Sequence, residues 1–175
     1  MALVNQIVRP HADTHMKRIV NIDQLKFNEH SHGESFQASG AQVSGEIGAV
    51  KLGYSVTAVP PGKRAWPFHN HHANEEMFFV LSGTGLLRYG DEEHPIRAGD
   101  FIAAPGGDRA TAHQIINSSE SELRYIAVST MLRPEVVEYP DSNKFSASTV
   151  LPSASDGFRL LGVKSESVDY WLGED

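Results

Sequence analysis

The sequence contains no cysteine, which excludes disulfides, thiolate metal sites and thiol nucleophiles. Positive charge is also scarce, because 15 lysines and arginines face 22 aspartates and glutamates and leave a formal net charge of −7. Such a balance argues against a nucleic-acid partner, which requires a basic face, and against a polybasic membrane contact. No apolar run approaches the roughly 20 residues of a membrane-spanning helix, and the N-terminus lacks the features of a signal peptide. We therefore expect a cytoplasmic protein that has neither nucleic acid nor membrane as a partner.

A sustained apolar period of 3.6 residues is also absent, so we expect no long helix. Fifteen glycines and nine prolines instead divide the chain into short runs that are rich in β-branched and aromatic residues. The clearest runs are Tyr54 to Val59, Met77 to Ser82, Thr84 to Tyr89, His94 to Ala104 with a turn at Gly99, Ala112 to Ser119 and Leu123 to Thr130. Short strands at this spacing are typical of a sandwich or barrel, so the predicted fold class is all-β.

The two ends of the chain differ from its middle. Residues 1–45 include the polar run NEHSHGESFQASGAQVSG, which predicts an N-terminal arm of loops with one or two weak strands, and residues 46–139 hold the predicted barrel. Residues 140–175 form a polar C-terminal arm, yet this arm carries too many aromatic side chains for a purely disordered end: Phe145, Phe158, Tyr170 and Trp171. We expect this arm to pack on the barrel or on a partner subunit.

The stretch PFHNHHANEEMFFVLSG carries the first candidate metal ligands. His69 and His71 point the same way in an extended chain, because alternate residues of a strand share a face. The same rule places Glu76 on one face with Phe78 and Val80, whereas the other face is formed by Met77, Phe79 and Leu81, a pattern that fits a strand buried on both sides. A carboxylate that opens such a strand is costly to bury unless a positive charge meets it, and a metal ion would supply that charge.

Neighbouring polar residues are weaker candidates. His72 faces away from the side shared by His69 and His71. Glu75 could replace Glu76 as the ligand only with a seven-residue gap to Gly83, so Glu76 is preferred. A second H-x-H pair, His30 and His32, lies in a Gly/Ser-rich segment without a carboxylate at useful spacing, so we expect solvated loop histidines there. A polar cluster that only hydrogen-bonds at the barrel mouth is the alternative to a metal site.

The order of these residues resembles the two sequence motifs of the cupin superfamily. The first motif, G-x(5)-H-x-H-x(3,4)-E-x(6)-G, is matched with its leading glycine displaced by one residue, and its places are taken by Gly62, His69, His71, Glu76 and Gly83. The second motif, G-x(5)-P-x(2)-H-x(3)-N, is matched by Gly99, Pro105, His113 and Asn117. Seven residues, 106–112, stand where this motif has two, which lengthens a loop at the barrel mouth and keeps the H-x(3)-N spacing intact.

The resemblance covers about residues 54–130 and implies a double-stranded β-helix, the cupin jelly-roll barrel, with partly ordered arms. It also implies a metal site made by His69, His71, Glu76 and His113. These ligands suit one divalent ion of manganese, iron, cobalt, nickel, copper or zinc without distinguishing among them. Two further segments, EVVEYPDS and DYWLGE, are similar to an uncharacterised subgroup of small single-domain bacterial cupins.

Four protein ligands leave one or two positions on the ion open, where it can polarise a substrate oxygen or activate water or dioxygen. The leading hypothesis is a metal-dependent enzyme of isomerase or dioxygenase type that acts on a small oxygen-rich molecule such as a sugar, sugar acid or organic acid. Tyr54, Gln114 and Tyr125 are strand-borne candidates for proton transfer, although their facing is not fixed by the sequence. The alternative is a non-enzymatic binding protein with a small-molecule ligand and a metal that is structural or captures that ligand.

The resemblance also implies a partner, because small cupins are commonly dimers. The second apolar face, formed by Met77, Phe79 and Leu81, can pack inside the barrel or under a neighbouring subunit. We therefore expect a homodimer whose flanking arms exchange contacts. A monomer mass that does not change with concentration would contradict this expectation.

Overall fold

The computed structural model describes residues 18–150 and 157–174. In chain order its strands are β1 (Asn28–His32), β2 (Phe36–Gln42), β3 (Leu52–Val59), β4 (Asn70–His71), β5 (Glu76–Ser82), β6 (Thr84–Tyr89), β7 (Glu92–Arg97), β8 (Phe101–Ala104), β9 (His113–Ile116), β10 (Leu123–Thr130), β11 (Glu135–Tyr139), β12 (Lys144–Ser148) and β13 (Arg159–Val163). Single 3-10 turns lie at Ile22–Gln24, Arg109–Thr111, Pro140–Ser142 and Lys164–Glu166. No helix within these two described ranges is long and apolar enough to cross a membrane.

The strands form three antiparallel sheets. The largest has the order β1-β2-β3-β10-β5-β8, a second has the order β7-β6-β9, and a third has the order β13-β12-β11-β4. Strands that are far apart in sequence become neighbours, as where β10 lies between β3 and β5. This arrangement is a double-stranded β-helix, so the predicted all-β fold class is confirmed.

The core lies where side chains of the first two sheets meet. It includes Val59 of β3, Val80 of β5, Leu87 of β6, Ile115 of β9 and Leu123 of β10, which are almost completely buried. Burying a side chain of this size stabilises the fold by about 1.5–3 kcal/mol relative to leaving it exposed. The barrel therefore needs no disulfide, in agreement with the absence of cysteine.

Strand β5 is buried on one face only, so the expectation of burial on both faces is wrong. Phe78 and Val80 point into the core, whereas Met77 and Phe79 on the outer face are half-buried. The Phe79 ring packs against Phe101 of β8, with 4.5 Å between the ring centroids, and Phe101 itself remains exposed. The alternation of residues along β5 correctly predicts which side chains point into the core. It does not predict whether another segment covers the apolar residues of the outer face.

The N-terminal arm contributes strands to the large sheet. β1 and β2 form a hairpin, and β2 continues the sheet by pairing with β3. His30 and His32 belong to β1 and not to a loop, which corrects the expectation for this pair. The domain limits at residues 45 and 139 stay predictions, and residues 1–17 of the expected arm lie outside the described residues.

The C-terminal arm continues from β11 into β12 and β13, which form a sheet with β4 beside the barrel mouth. Two of its aromatic residues, Tyr170 and Trp171, form an edge-to-face pair and are strongly exposed. Residues 151–156 and 175 of this arm lie outside the described residues. The expected homodimer, which would cover these side chains, stays a prediction.

Candidate metal centre

Two of the predicted ligands are brought together by their own backbones. His69 donates its amide to the carbonyl of His113 at 3.2 Å, and His113 donates back to the carbonyl of His69 at 2.8 Å. This isolated antiparallel bridge places the imidazole rings side by side, with 4.7 Å between their centroids. Residues that are distant in sequence thus become neighbours because both segments are extended at the same barrel end.

The other two predicted ligands lie on adjacent strands. His71 ends β4 and faces Val137 of β11, while Glu76 opens β5 between Ala104 of β8 and Ser129 of β10. The structure therefore brings together all four residues that the sequence predicts as ligands. Glu75, the rejected alternative, is exposed, and the exposed His72 pairs with Glu138 instead, at 3.1 Å.

One carboxylate oxygen lies among three imidazole nitrogens. Glu76 Oε2 is 3.0 Å from Nε2 of His113, 3.4 Å from Nε2 of His71 and 3.9 Å from Nε2 of His69. Ligand atoms of His69, His71 and Glu76 all lie within 4.8 Å of one another. Metal–ligand bonds of about 2.0–2.2 Å put neighbouring donor atoms about 3–4 Å apart, so this group can hold one ion.

The opposite edge of each imidazole faces an oxygen. Nδ1 of His69 lies 2.8 Å from the Pro67 carbonyl, and Nδ1 of His113 lies 3.2 Å from the Thr111 carbonyl. Nδ1 of His71 lies 3.6 Å from a carboxylate oxygen of Glu135. With an ion bound, these acceptors would favour a proton on each Nδ1, and the lone pair of each Nε2 would face the ion in place of the Nε2 protons that now hydrogen-bond to Glu76.

The charges of the cluster are strongly coupled. Burial and the neighbouring His113 lower the pKa of His69 to about 4. Burial alone would also lower the pKa of His71, but the Glu135 and Glu76 carboxylates raise it to about 9. Burial would raise the pKa of Glu76, yet hydrogen bonds from His113 and His71 hold that pKa well below its usual range. Glu76 is therefore an anion, which is the form that binds a metal.

Glu135 is a supporting residue that the sequence reasoning missed. It is 5% exposed, and its carboxylate accepts backbone amides from His72, Ala73 and Asn74 at 3.1–3.2 Å in addition to facing His71. It thereby fixes both the loop after His71 and the ring of His71. The sequence contained an indication of this role, because Glu135 stands at the start of a strand and directly before two apolar residues, as Glu76 does.

The long loop of residues 106–112 is tied to the site. Gly107 donates its amide to the carbonyl of His71 at 2.7 Å, and its carbonyl accepts from the Asn70 side chain at 2.9 Å. Asp108 caps the following 3-10 turn.

Asn117 of the second motif does not belong to the site. Its buried side-chain amide instead hydrogen-bonds to Val59, Ser119 and Ser121 and thereby stabilises the turn between β9 and β10.

A cavity of about 240 Å³ opens beside the cluster. It is lined by the three cluster residues His69, Glu76 and His113, by the polar residues Gln42, Ser55, Gln114 and Tyr125, and by Trp66, Phe78, Ile115 and Ala127. Tyr54, a proton-transfer candidate, does not line this cavity, whereas Gln114 and Tyr125 do. Burial raises the pKa of Tyr125, so its hydroxyl stays protonated at neutral pH.

A larger cavity of about 490 Å³ lies on the other side of His71 and is bordered by Glu135, Arg133 and Arg159. It contains only one of the four predicted ligands, with the Nδ1 edge of that ring directed toward Glu135. The smaller cavity is therefore the one whose chemistry is determined by the cluster.

Residues 55–129 match the family model described as "Cupin domain". These residues form a cupin domain. The match covers strands β3 to β10 apart from their outermost residues, and hence all four predicted ligands and the walls of the smaller cavity other than Gln42.

Relatives with described roles extend the comparison. A structure from Acidithiobacillus ferrooxidans, for which sugar phosphate isomerase activity has been suggested, is 25% identical with a TM-score of 0.75, and the match covers 87% of this chain and 96% of that one. A sugar phosphate isomerase of the cupin superfamily from Silicibacter pomeroyi is 21% identical with a TM-score of 0.72, covering 85% and 94% of the two chains, and shows likeness of fold. The oxalate-binding protein of Thermotoga maritima is 30% identical over 42% of this chain, and the chain spans 58% of that relative's length.

We expect Glu135→Gln to weaken metal binding by about 10- to 100-fold, because a carboxylate behind a ligating imidazole raises its basicity and fixes its orientation. The affinity is measured by competition with a chromogenic chelator. The matched control is Glu138→Gln, which changes a nearby carboxylate that contacts His72 and Lys164 and none of the four predicted ligands. Equal affinities of both variants and wild type would show that Glu135 does not support the ion.

We also expect metal binding to release about one proton per ion near pH 7, because an ion must displace the proton that His71 holds with its raised pKa of about 9. The affinity should therefore rise about tenfold per pH unit until the pH reaches this pKa, above which His71 is already neutral. Calorimetry in buffers of different ionisation enthalpy measures the released protons. A constant affinity between neutral pH and the pKa of His71 would contradict the assignment.

Proposed function

We propose that this protein is a metal-dependent enzyme of isomerase type that acts on a small sugar or sugar acid. His69, His71, Glu76 and His113 would hold one divalent ion, whose Lewis acidity polarises substrate oxygens. The observation that carries the proposal is the convergence of three Nε2 atoms on one Glu76 oxygen while each Nδ1 faces an acceptor. Hydrogen bonds to Glu76 alone would account for His113 and His71, whereas Nε2 of His69 faces the same oxygen at 3.9 Å, too far for a hydrogen bond.

The lining of the smaller cavity supports a substrate with many oxygens and little charge. None of the described residues that line it is a lysine or arginine, and the polar side-chain groups other than the cluster are two amides, two hydroxyls and the indole N–H of Trp66. Along the described lining, an anionic group would therefore meet the charge of the cluster and its metal but no lysine or arginine, whereas hydroxyl and carbonyl groups can hydrogen-bond to the amides. A volume of about 240 Å³ is below the usual range of about 300–1,000 Å³ for ligand pockets, which favours a small molecule.

Tyr125 is the titratable group that this cavity offers outside the cluster, among the residues described. It is 1% exposed, and burial raises the pKa of its hydroxyl. A protonated phenol can donate a hydrogen bond to a substrate oxygen, but with a raised pKa it is a poor acid and a poor base at neutral pH. We therefore assign Tyr125 the role of a hydrogen-bond donor that stabilises negative charge on a substrate oxygen during the isomerisation, with Gln114 as an orienting group.

The similarity to the Acidithiobacillus ferrooxidans protein supports sugar chemistry, since that match covers nearly all of that chain. The oxalate-binding relative favours the second candidate, a non-enzymatic protein that binds a small organic acid through its metal. The same observation of one titratable group fits this second candidate, because a binding protein needs groups that orient a ligand and no base. Turnover discriminates between the two candidates.

The first test is elemental mass spectrometry of the untagged protein. We expect near-stoichiometric divalent metal in wild type and none in the His69→Ala, His71→Ala double variant. The control is the His30→Ala, His32→Ala double variant, which removes the other H-x-H pair and should retain the metal. Absence of metal from wild type after reconstitution with iron, manganese, nickel and zinc would refute the metal-dependent function.

The second part of the test follows aldoses and aldose phosphates by NMR in the presence of the metal-loaded protein. Conversion to ketoses or epimers, lowered about 100-fold or more in Tyr125→Phe at unchanged metal content, would support the enzyme. Saturable binding of oxalate without conversion of any sugar would support the binding protein instead.

A further inference from the structure

We propose that Trp66 is the recognition surface of the metal cavity and that it selects a carbohydrate, whose C–H face lies on the indole ring. This inference rests on the proposed location of the ligand in the smaller cavity and names the chemistry that Trp66 recognises there. It adds a specificity residue that is neither a metal ligand nor the hydrogen-bond donor Tyr125.

Trp66 combines an exposed side chain with a place in the wall of the metal cavity. It borders the same cavity as His69, Glu76 and His113, yet 48% of its surface is exposed. A large aromatic side chain that is exposed at the entrance of a polar cavity gains free energy when a ligand covers it. The rim of the metal cavity thus has an apolar surface beside neutral hydrogen-bonding groups.

The indole is held in a fixed orientation before any ligand arrives. Its ring stacks on His30 with a centroid distance of 4.4 Å and an interplanar angle of 14°, and Nε2 of His30 lies 3.3 Å from the Ala65 carbonyl. The backbone of Trp66 is fixed as well, because its carbonyl accepts from the Gln114 amide at 2.6 Å. His30 of the N-terminal H-x-H pair therefore has a role, which is to hold the Trp66 ring in place.

The chemistry of this surface matches a sugar. The face of an aromatic ring is electron-rich and attracts the weakly positive C–H groups that cover one side of a sugar ring. Gln42, Ser55 and Gln114 border the same cavity and can hydrogen-bond to the hydroxyl groups on the ring edge. Oxalate carries no C–H group, so it would interact with the ion and leave the indole uncovered.

The test uses the two tryptophans of the chain, Trp66 and Trp171. In Trp171→Phe, which leaves Trp66 as the single reporter, the zinc-loaded protein is titrated with aldohexoses and aldopentoses, each free and as its terminal phosphate ester, and with oxalate. We expect a saturable change of Trp66 emission with at least one sugar and none with oxalate. Binding of both classes is measured in parallel by calorimetry.

The variants separate recognition from structure. Trp66→Ala should lose at least tenfold in sugar affinity with unchanged zinc content and oxalate affinity, Trp66→Phe should restore most of it, and His30→Ala should give a smaller loss. Unchanged sugar affinity in Trp66→Ala, an equal loss of sugar and oxalate affinity, or no sugar binding by zinc-loaded wild type would overturn the proposal. Failure of the proposed enzyme is distinguishable, because sugars would then bind, change the Trp66 emission and remain unconverted.

Discussion

The placement of a negative charge, Glu76, inside the barrel end is the constraint on which the site depends. A buried carboxylate is tolerated only when positive charge or hydrogen-bond donors surround it. Here three imidazoles surround it, and two of them, His69 and His113, are fixed by a reciprocal backbone bridge. The cluster therefore satisfies the carboxylate by hydrogen bonds and by the charge on His71, and an ion replaces that proton with a larger charge at the same place.

The third sheet, β13-β12-β11-β4, supports the cluster on the side of His71 that faces away from Glu76. β11 pairs with β4, which contains His71, and its first residue, Glu135, reaches the far edge of the same ring. Glu135 also accepts backbone amides from the following loop, so the orientation of the ring and the path of the chain are set by one carboxylate. A cupin domain of residues 55–129 alone lacks this support, because Glu135 and β11 follow it in the chain.

The sequence predicts the barrel from the spacing of its short strands, and the structure brings the four predicted ligands together, while their binding of an ion stays a prediction. Alternation along a strand fixes the common facing of His69 and His71, and the two motifs supply Glu76 and His113. Contacts between segments that have no fixed spacing escape such reasoning. Glu135 lies 64 residues from His71 and His30 lies 36 residues from Trp66, and only the pairing of β4 with β11 and of β1 with β2 brings these residues into place.

The outer face of β5 is a second feature that local spacing does not predict. Its apolar residues suggested burial, but burial depends on what covers a strand and not on the strand itself. The chemistry of the smaller cavity depends in part on a type of residue that its described walls lack. Because the described lining residues include no lysine or arginine, the proposed ion would supply the strongest attraction, and neutral groups with Trp66 would discriminate between ligands. The proposal thus separates affinity, which would come from charge at the metal cluster, from specificity, which would come from shape at the rim.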